Sequence, residues 1–369
     1  MRILHFYKTY WPDTFGGTER TINALAENTH PLGAEHHVLS LSASPSQHVR
    51  RHGSQTIHQA KRLFSIASTD ISVDSIGKFR RLAKQSDIIH LHFPWPFMDP
   101  VYLAFASGKP AVLTYHSDAL GSRLLQAVYA PMQHVLLSRV DAIVPTSQNY
   151  LETSPTLQRY RSKTTVIPLG IDAAAYPSPS RETLEKWRRV IDVPFFLFTG
   201  VLRHYKGLNN LLQAARALDL HVVIAGSGKC KDGLLAAKKK MGLENVHLIG
   251  AVGELDKIAL LKLSVGFVFP SNIRSEAFGL ALVEAAMMGK PLISCEIGTG
   301  TSYVNINGET GFIVPPNDPA ALANAMLTLA ENPELCRAFG KAAKQRYETL
   351  FRAQTMSQRY FELYKKILH

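Results

Sequence analysis

Gly170-Ile-Asp-Ala-Ala-Ala-Tyr-Pro-Ser-Pro-Ser180 interrupts the chain near its middle, and the patterns on either side of it decide the fold. Its glycine, serines and prolines do not continue a helix or a central strand, so the segment reads as a linker. Upstream, short apolar runs alternate with longer mixed segments. The strand candidates are Arg2–Phe6, His37–Leu41, Ile88–His92, Ala111–Tyr115, Ala142–Thr146 and Thr165–Pro168, with helical stretches such as Arg20–Thr29 and Leu124–Ser138 between them. Downstream the rhythm restarts with Phe195–Thr199, His221–Ala225, Val246–Ile249, Val265–Phe269 and Pro291–Cys295. Strands alternating with helices indicate βαβ units on a parallel sheet. The expected fold is therefore α/β, with two successive doubly wound units. A last helix is expected near Thr355–Leu368, where Met356, Tyr360, Leu363 and Ile367 recur at helical spacing.

Bulk properties agree with two packed interiors. The chain has 369 residues, of which 46% are apolar, enough for two domains of about 150–200 residues and too much for disorder. No stretch approaches the roughly 20 apolar residues of a membrane span. The start, MRILHFYKTYW, has no long apolar block or cleavage site and reads as a buried strand, not a signal peptide. Cys230, Cys295 and Cys336 are too few and too scattered for a metal cluster or disulfide framework, which points to a reducing cytosol. The net charge of +12 is spread over both halves, with 17 basic against 12 acidic residues in 1–172 and 24 against 17 in the remainder. Such a diffuse excess suits anionic ligands or an anionic membrane surface. No aromatic-interleaved basic stripe is present, so nucleic acid is not an expected partner.

Several loops carry residues suited to phosphate and sugar. Phe15-Gly16-Gly17-Thr18-Glu19-Arg20 follows the first strand and opens a helix, where Gly16 and Gly17 allow close backbone approach and free N–H groups attract phosphate. A plain tight turn is the alternative. Gly200-Val-Leu-Arg203-His-Tyr-Lys206-Gly207 directly follows a strand, the position at which this fold class binds ligands. Arg203 and Lys206 there supply a guanidinium fork and a point charge for a diphosphate, unless the loop is merely a solvated basic one. Gly226-Ser227-Gly228 is a further glycine turn placed to line a nucleotide.

The sharpest signal is Arg274-Ser-Glu276-Ala-Phe278-Gly279-Leu280-Ala-Leu-Val-Glu284-Ala-Ala-Met-Met-Gly289. A helix is expected from about Gly279 to Gly289, with Glu276 in the loop before it and Glu284 a lone carboxylate on an apolar helix. A buried carboxylate must be paired or hydrogen-bonded, so Glu284 requires hydroxyls, amides or a cation. Ribose hydroxyls would serve; a structural ion pair is the alternative. His116, just past a strand in Leu113-Thr-Tyr-His-Ser-Asp118, reads as a sugar contact or else as a satisfied core histidine. His90 and His92 share a face and read as structural; a metal held by them with His116 and Asp118 is not expected.

Taken together, these residues resemble the GT-B glycosyltransferases, specifically retaining family 4, group 1. The resemblance spans the chain through Gly16-Gly17-Thr18-Glu19-Arg20, Thr114-Tyr-His-Ser, Val166-Ile-Pro-Leu-Gly170, Arg203…Lys206-Gly207 and Glu276-x7-Glu284. Leu91-His-Phe-Pro-Trp-Pro-Phe-Met-Asp99, Tyr115-His-Ser-Asp118 and Gly200–Gly207 look more narrowly like bacterial O-antigen mannosyl- and rhamnosyltransferases.

The resemblance implies two Rossmann-like domains facing across a cleft. The first is 1–172, on the acceptor side, with a terminal helix of about 352–369 packing back on it; the second is 173–351, binding the nucleotide sugar. It further implies that Arg203 and Lys206 hold the donor diphosphate and Glu284 the ribose. Glu276, with the backbone at Phe278, Gly279 and Leu280, would contact the sugar; Gly16 and Gly17 would approach the phosphates, and His116 the transferred sugar. Val201 stands where the family commonly has its arginine; Arg203, two residues on, shares its face in an extended segment.

The expected function is retaining, metal-independent transfer of a hexose. The expected donor is GDP-mannose, and the acceptor a lipid-linked or polysaccharide glycan of O-antigen synthesis at the cytoplasmic face of the inner membrane. Alternatives are another donor (GDP-rhamnose, UDP-glucose or a UDP-N-acetylhexosamine), a GT-B epimerase, and a non-catalytic nucleotide-sugar-binding subunit. Replacing Lys206 or Glu276 by alanine is expected to abolish transfer and leave the fold intact.

Overall fold

The computed structural model describes residues 1–66, 69–106, 108–119 and 123–369. The chain divides into two compact units, Met1–Gly170 with Ala353–His369, and Ile171–Arg352. The divisions fall at 170/171 and 352/353, within two residues of the boundaries expected from the sequence.

The first unit is built on a seven-stranded sheet of order β3-β4-β2-β1-β7-β8-β9. Its strands are β1 (Arg2–Phe6), β2 (Glu35–Ser42), β3 (Arg50–His52), β4 (Gln55–Lys61), β7 (Ile88–Phe93), β8 (Ala111–Tyr115) and β9 (Ala142–Pro145). All pairs are parallel except β3 with β4. A separate hairpin joins β5 (Phe64–Ile66) and β6 (Thr69–Ile71). The chain winds from β1 outward through β2 and β4, then returns to β7 on the other side of β1, so the topological switch lies between β1 and β7. β7 and β8 are buried on every residue, as expected for parallel strands covered on both faces.

The terminal helix Ala353–Leu368 belongs to this unit because its apolar stripe is completed there. Met356, Tyr360, Leu363 and Tyr364 are buried at i, i+4, i+7 and i+8. Buried tyrosines need partners for their hydroxyls: Tyr360 meets Thr114 Oγ1 at 2.7 Å and Tyr364 meets His90 Nδ1 at 2.6 Å. Ser357 Oγ donates to Ala24 O in the helix Gly17–Thr29.

The second unit carries a wholly parallel six-stranded sheet of order β12-β11-β10-β13-β14-β15. These strands are β10 (Phe195–Thr199), β11 (His221–Ala225), β12 (Val246–Gly250), β13 (Gly266–Phe269), β14 (Leu292–Cys295) and β15 (Gly311–Val314). Here the winding reverses between β10 and β13. Ligands of such sheets bind beyond the carboxyl ends of the strands at this reversal.

Two sequence expectations need correction. Thr165–Pro168 is extended but forms no strand: Thr165 N and Ile167 N bond to Ile143 O and Pro145 O without continuing a ladder, and Pro168 has no N–H to extend one. The segment Gly170–Ser180 is not a loose linker past Ile171. Ile171 N donates to Phe351 O, and Tyr176 is drawn into the second unit by its hydroxyl. β3 and β4 lie outside the expected strands because Arg50–His52 and Gln55–Lys61 are too polar to stand out as apolar runs; β15 and the β5–β6 pair lie outside them as well.

Candidate active site

In the second unit, the loops after β10 and β13 converge at the switch point. Tyr205 O accepts from Asn272 N at 3.0 Å, fastening the two loops backbone to backbone. The ammonium of Lys206, from the first loop, bonds Oε2 of Glu276, from the second. Both side chains are only 11% exposed. Ser271 Oγ donates to the same carboxylate oxygen at 3.3 Å, and Thr299 Oγ1 holds the Glu276 carbonyl at 2.7 Å. Lys206 also sits 4.4 Å above the Phe269 ring, where a cation is attracted to the π face. Burial, and after it the Glu276 charge, push the Tyr205 phenol above its ordinary range.

Arg203 stands exposed just before this pair. Leu202 between Val201 and Arg203 is buried while both neighbours are exposed, so Val201 and Arg203 look out on the same side. Gly226-Ser227-Gly228 packs directly on that loop: Leu202 N donates to Ser227 O at 2.9 Å and Gly200 N to Ala225 O at 3.1 Å. A Cβ at Gly226 would lie 1.9 Å from Gly200 O, so only glycine permits the two loops to touch.

The helix after Glu276 runs Leu280–Met287, slightly shorter than the sequence suggested. Its leucines, alanines and methionine are strong helix formers. It starts at Gly279, whose φ of 88° is the left-handed conformation that favours glycine, and Phe278 is buried against Phe351 just before it. The first turn thus presents backbone N–H groups beside the Lys206–Glu276 loop, and helix N-termini attract anions.

Glu284 lies one turn into this helix and is buried. The structure satisfies it with an ion pair, the alternative left open by the sequence. Its Oε1 accepts from Lys257 Nζ at 2.8 Å and from the Tyr176 hydroxyl at 2.9 Å. Neither partner was legible: Tyr176 falls in the proline-rich segment, and Lys257 comes from the separate helix Glu254–Leu263.

In the first unit, Gly16 and Gly17 sit at the start of the helix Gly17–Thr29, after β1. Glu19 reaches back to accept from Thr9 Oγ1 at 2.8 Å and Thr14 Oγ1 at 2.7 Å, which fixes the loop. His116 follows β8, its N–H bonded to Phe93 O and its Nε2 3.1 Å from His92 Nδ1. Burial holds its imidazole down at about 4. Asp118 is taken up by Tyr115 OH and Ser154 Oγ on one oxygen, 2.9 and 2.8 Å away. The described residues that could hold a metal ion are His5, His90 and His92, not the set with Asp118 weighed from the sequence.

Comparison with known proteins gives the family and the fold. The Glycosyltransferase Family 4 domain matches residues 15–175 and the Glycosyl transferases group 1 domain residues 180–346. The chain is 48% identical to the D-rhamnosyltransferase WbpZ of Pseudomonas aeruginosa, over 96% of this chain and 93% of that one. It is 40% identical to the O-antigen chain mannosyltransferase C of Escherichia coli, over 100% and 99% of the two chains. Among solved structures, a sucrose-phosphate synthase from Thermosynechococcus elongatus superposes with a TM-score of 0.81 at 20% identity, covering 99% of this chain and 98% of that one. Anabaena Alr3699/HepE in complex with UDP superposes with a TM-score of 0.79 at 19% identity, covering 99% and 100%. These neighbours carry the fold, and the sequence relatives carry the family: the chain belongs to the GT-B glycosyltransferases of family 4, group 1.

Proposed function

We propose that this enzyme transfers a hexose, mannose from GDP-mannose, with retention of configuration and without a metal ion, to a lipid-linked or polysaccharide acceptor of O-antigen synthesis. The observation that carries the reading is the Lys206–Glu276 pair at the switch point of the second unit, beside a helix N-terminus. A donor diphosphate competes with Glu276 for the Lys206 ammonium, and the released carboxylate takes sugar hydroxyls. Arg203 adds a second cation to the phosphates. Glu284, whose two bonds fall on Oε1, offers Oε2 to the ribose. The backbone at Gly226, Ser227, Phe278, Gly279 and Leu280 lines the donor. From the first unit, His116 is assigned to the transferred sugar and the Gly16–Gly17 backbone to the phosphates.

The demanding step is loss of the nucleoside diphosphate as the sugar becomes oxocarbenium-like. The bond from the anomeric carbon to the β-phosphate oxygen breaks and the acceptor oxygen bonds the same face of that carbon. The acceptor proton passes to the departing phosphate oxygen. Lys206, Arg203 and the helix N-terminus stabilise the negative charge that develops there, the task a divalent cation performs in other transferases.

The names of the two relatives support a mannose- or rhamnose-type sugar, and GDP-rhamnose is the alternative donor. A membrane-associated acceptor is supported by the charge of +12 and by an exposed apolar row, Leu125, Val128, Met132 and Val135, along the helix Arg123–Arg139. No helix among the described residues is long and apolar enough to cross a membrane, so attachment would be peripheral, at the cytoplasmic face. The test is a transfer assay with GDP-mannose, GDP-rhamnose and UDP-sugars on a lipid-linked acceptor, with the product's anomeric configuration read by NMR. An α-linked mannoside from GDP-mannose supports the reading. An inverted linkage, or a free epimerised sugar formed without acceptor, refutes it.

A further inference from the structure

Four buried histidines of the first unit have no part in the Lys206–Glu276 site, yet three of them lead to His116. His5, His36, His90 and His92 are each at most 1% exposed, and both ring nitrogens of each have a hydrogen-bond partner. Burying an imidazole with an unpaired nitrogen costs roughly 1–3 kcal/mol, so this pairing is what permits four rings in one interior. Three of them form a line with Thr29 at one end and His116 at the other. Thr29 Oγ1 lies 2.6 Å from His36 Nε2, His36 Nδ1 2.9 Å from His5 Nε2, His5 Nδ1 3.1 Å from His92 Nε2, and His92 Nδ1 3.1 Å from His116 Nε2.

The line crosses four adjacent strands, and the strand register shows its direction. Ile3 pairs with His36, His5 with His90, and His92 with Thr114. Each step from β2 to β1, to β7 and to the end of β8 therefore advances two residues, about 6.6 Å, on one face of the sheet. It begins at the last residue of the helix Gly17–Thr29 and ends beyond the carboxyl edge of the sheet, where His116 stands.

Proton counting gives the line a polarity. Burial holds His5 at about 3 and His116 at about 4, and with neighbouring imidazole charges it pushes His36 and His92 well below the ordinary histidine range. At neutral pH each ring therefore carries one N–H and one lone pair. Thr29 has a single hydroxyl proton, and it donates that to Leu25 O at 2.8 Å. Thr29 Oγ1 must then accept from His36 Nε2–H. His36 Nδ1 accepts from His5 Nε2–H, His5 Nδ1 from His92 Nε2–H, and His92 Nδ1 from His116 Nε2–H. His116 is left with a lone pair on Nδ1.

We propose that Thr29, His36, His5 and His92 are positioning residues that hold His116 as its Nε2–H tautomer, so that its Nδ1 accepts a hydrogen bond from a substrate hydroxyl. The proposal rests on the assignment of His116 to the transferred sugar. The same cluster could instead be read as a metal site, since ligand atoms of His5, His90 and His92 lie within 4.8 Å of one another. A metal would have to displace the His5–His92 bond and take a nitrogen of His90 from Tyr364 or Thr114. The observed bonds are those of the chain.

The test is long-range proton–nitrogen correlation spectroscopy on the full-length protein with nitrogen-labelled histidine at pH 7, together with steady-state kinetics. Expected are neutral Nε2–H signals for His5, His36, His92 and His116. In Thr29→Val they are expected to become mixed, with kcat/KM falling roughly tenfold as one oriented hydrogen bond is lost; Thr29→Ser, which keeps the hydroxyl, restores the parent spectrum and rate. An Nδ1–H signal at His116, or one equivalent of tightly held zinc in the purified protein, overturns the chain. The two readings fail separately. Transfer abolished in His116→Ala with a reversed tautomer in the parent leaves the sugar contact standing and removes the chain. Full transfer by His116→Ala with the expected tautomers removes the sugar contact.

Discussion

The ammonium of Lys257 lies 2.8 Å from Oε1 of Glu284, and both side chains are nearly buried, at 14% and 11% exposure. Removing one partner of such a pair leaves an uncompensated charge, which costs about 3–5 kcal/mol. Lys257→Met is therefore expected to lower the urea midpoint clearly, and the double variant Lys257→Met/Glu284→Leu to recover stability without recovering activity. An unchanged midpoint in the single variant would show that Glu284 does not depend on Lys257.

The Lys206–Glu276 pair alters an expectation drawn from sequence alone, that alanine at either position would spare the fold. Lys206→Ala leaves Glu276 with the Ser271 hydroxyl but no counter-charge, so stability should fall by about 3–5 kcal/mol. Transfer should fall on the order of 100-fold or more, as for loss of one charge-stabilising group. Glu276→Gln keeps the shape but leaves the Lys206 ammonium without its counter-charge; it should also melt below the parent and transfer poorly. Calorimetric melting and initial rates on the same preparations separate the two effects.

Acid stability should reflect the buried histidines of the first unit. Their folded pKa values are depressed, so the unfolded chain binds more protons once pH drops below about 6.5. The stability they confer is complete above that value and is lost as pH falls; for His116 the loss continues down to about 4. Each histidine that stays neutral contributes about 1.4 kcal/mol per pH unit within its window. Urea midpoints measured between pH 7 and 5 should drop steeply, with a shallower drop in His116→Gln. A flat profile would mean that the rings are charged in the folded protein.

The row on the helix Arg123–Arg139 has Val128 73% exposed. If this face meets the bilayer, Val128→Glu replaces apolar contact by a charge repelled from an anionic surface. Flotation with vesicles containing phosphatidylglycerol should then bring up the parent and leave the variant behind. Equal flotation of both, or of neither, would count against this face.

The sequence was most readable where the physics is local. β1, β8, β10 and β11 fall on the expected residues, because a parallel strand buried on both faces is a continuous apolar run. The family and the GT-B fold were legible for a related reason, since glycines and charged residues at loop positions keep fixed spacings from those strands. Partnerships made across the fold were not legible. Nothing local ties Lys257 to Glu284, Lys206 to Glu276, or Thr29 to His116. The histidine chain did leave a faint trace, for His5, His90 and His92 all lie within strands and His116 just past one. His36 lay one residue outside the expected strand His37–Leu41, and the strand register that aligns them appears only in the folded sheet.

The central claim is that Lys206 grips the donor diphosphate without help from a metal. Titration calorimetry of GDP-mannose into parent and Lys206→Met, both with excess chelator, tests it most directly. The account predicts that the parent binds in chelator and that the variant binds on the order of 100-fold more weakly, in keeping with loss of a charge-assisted contact. Equal affinity in the two proteins, or binding by the parent only after a divalent cation is restored, would contradict it.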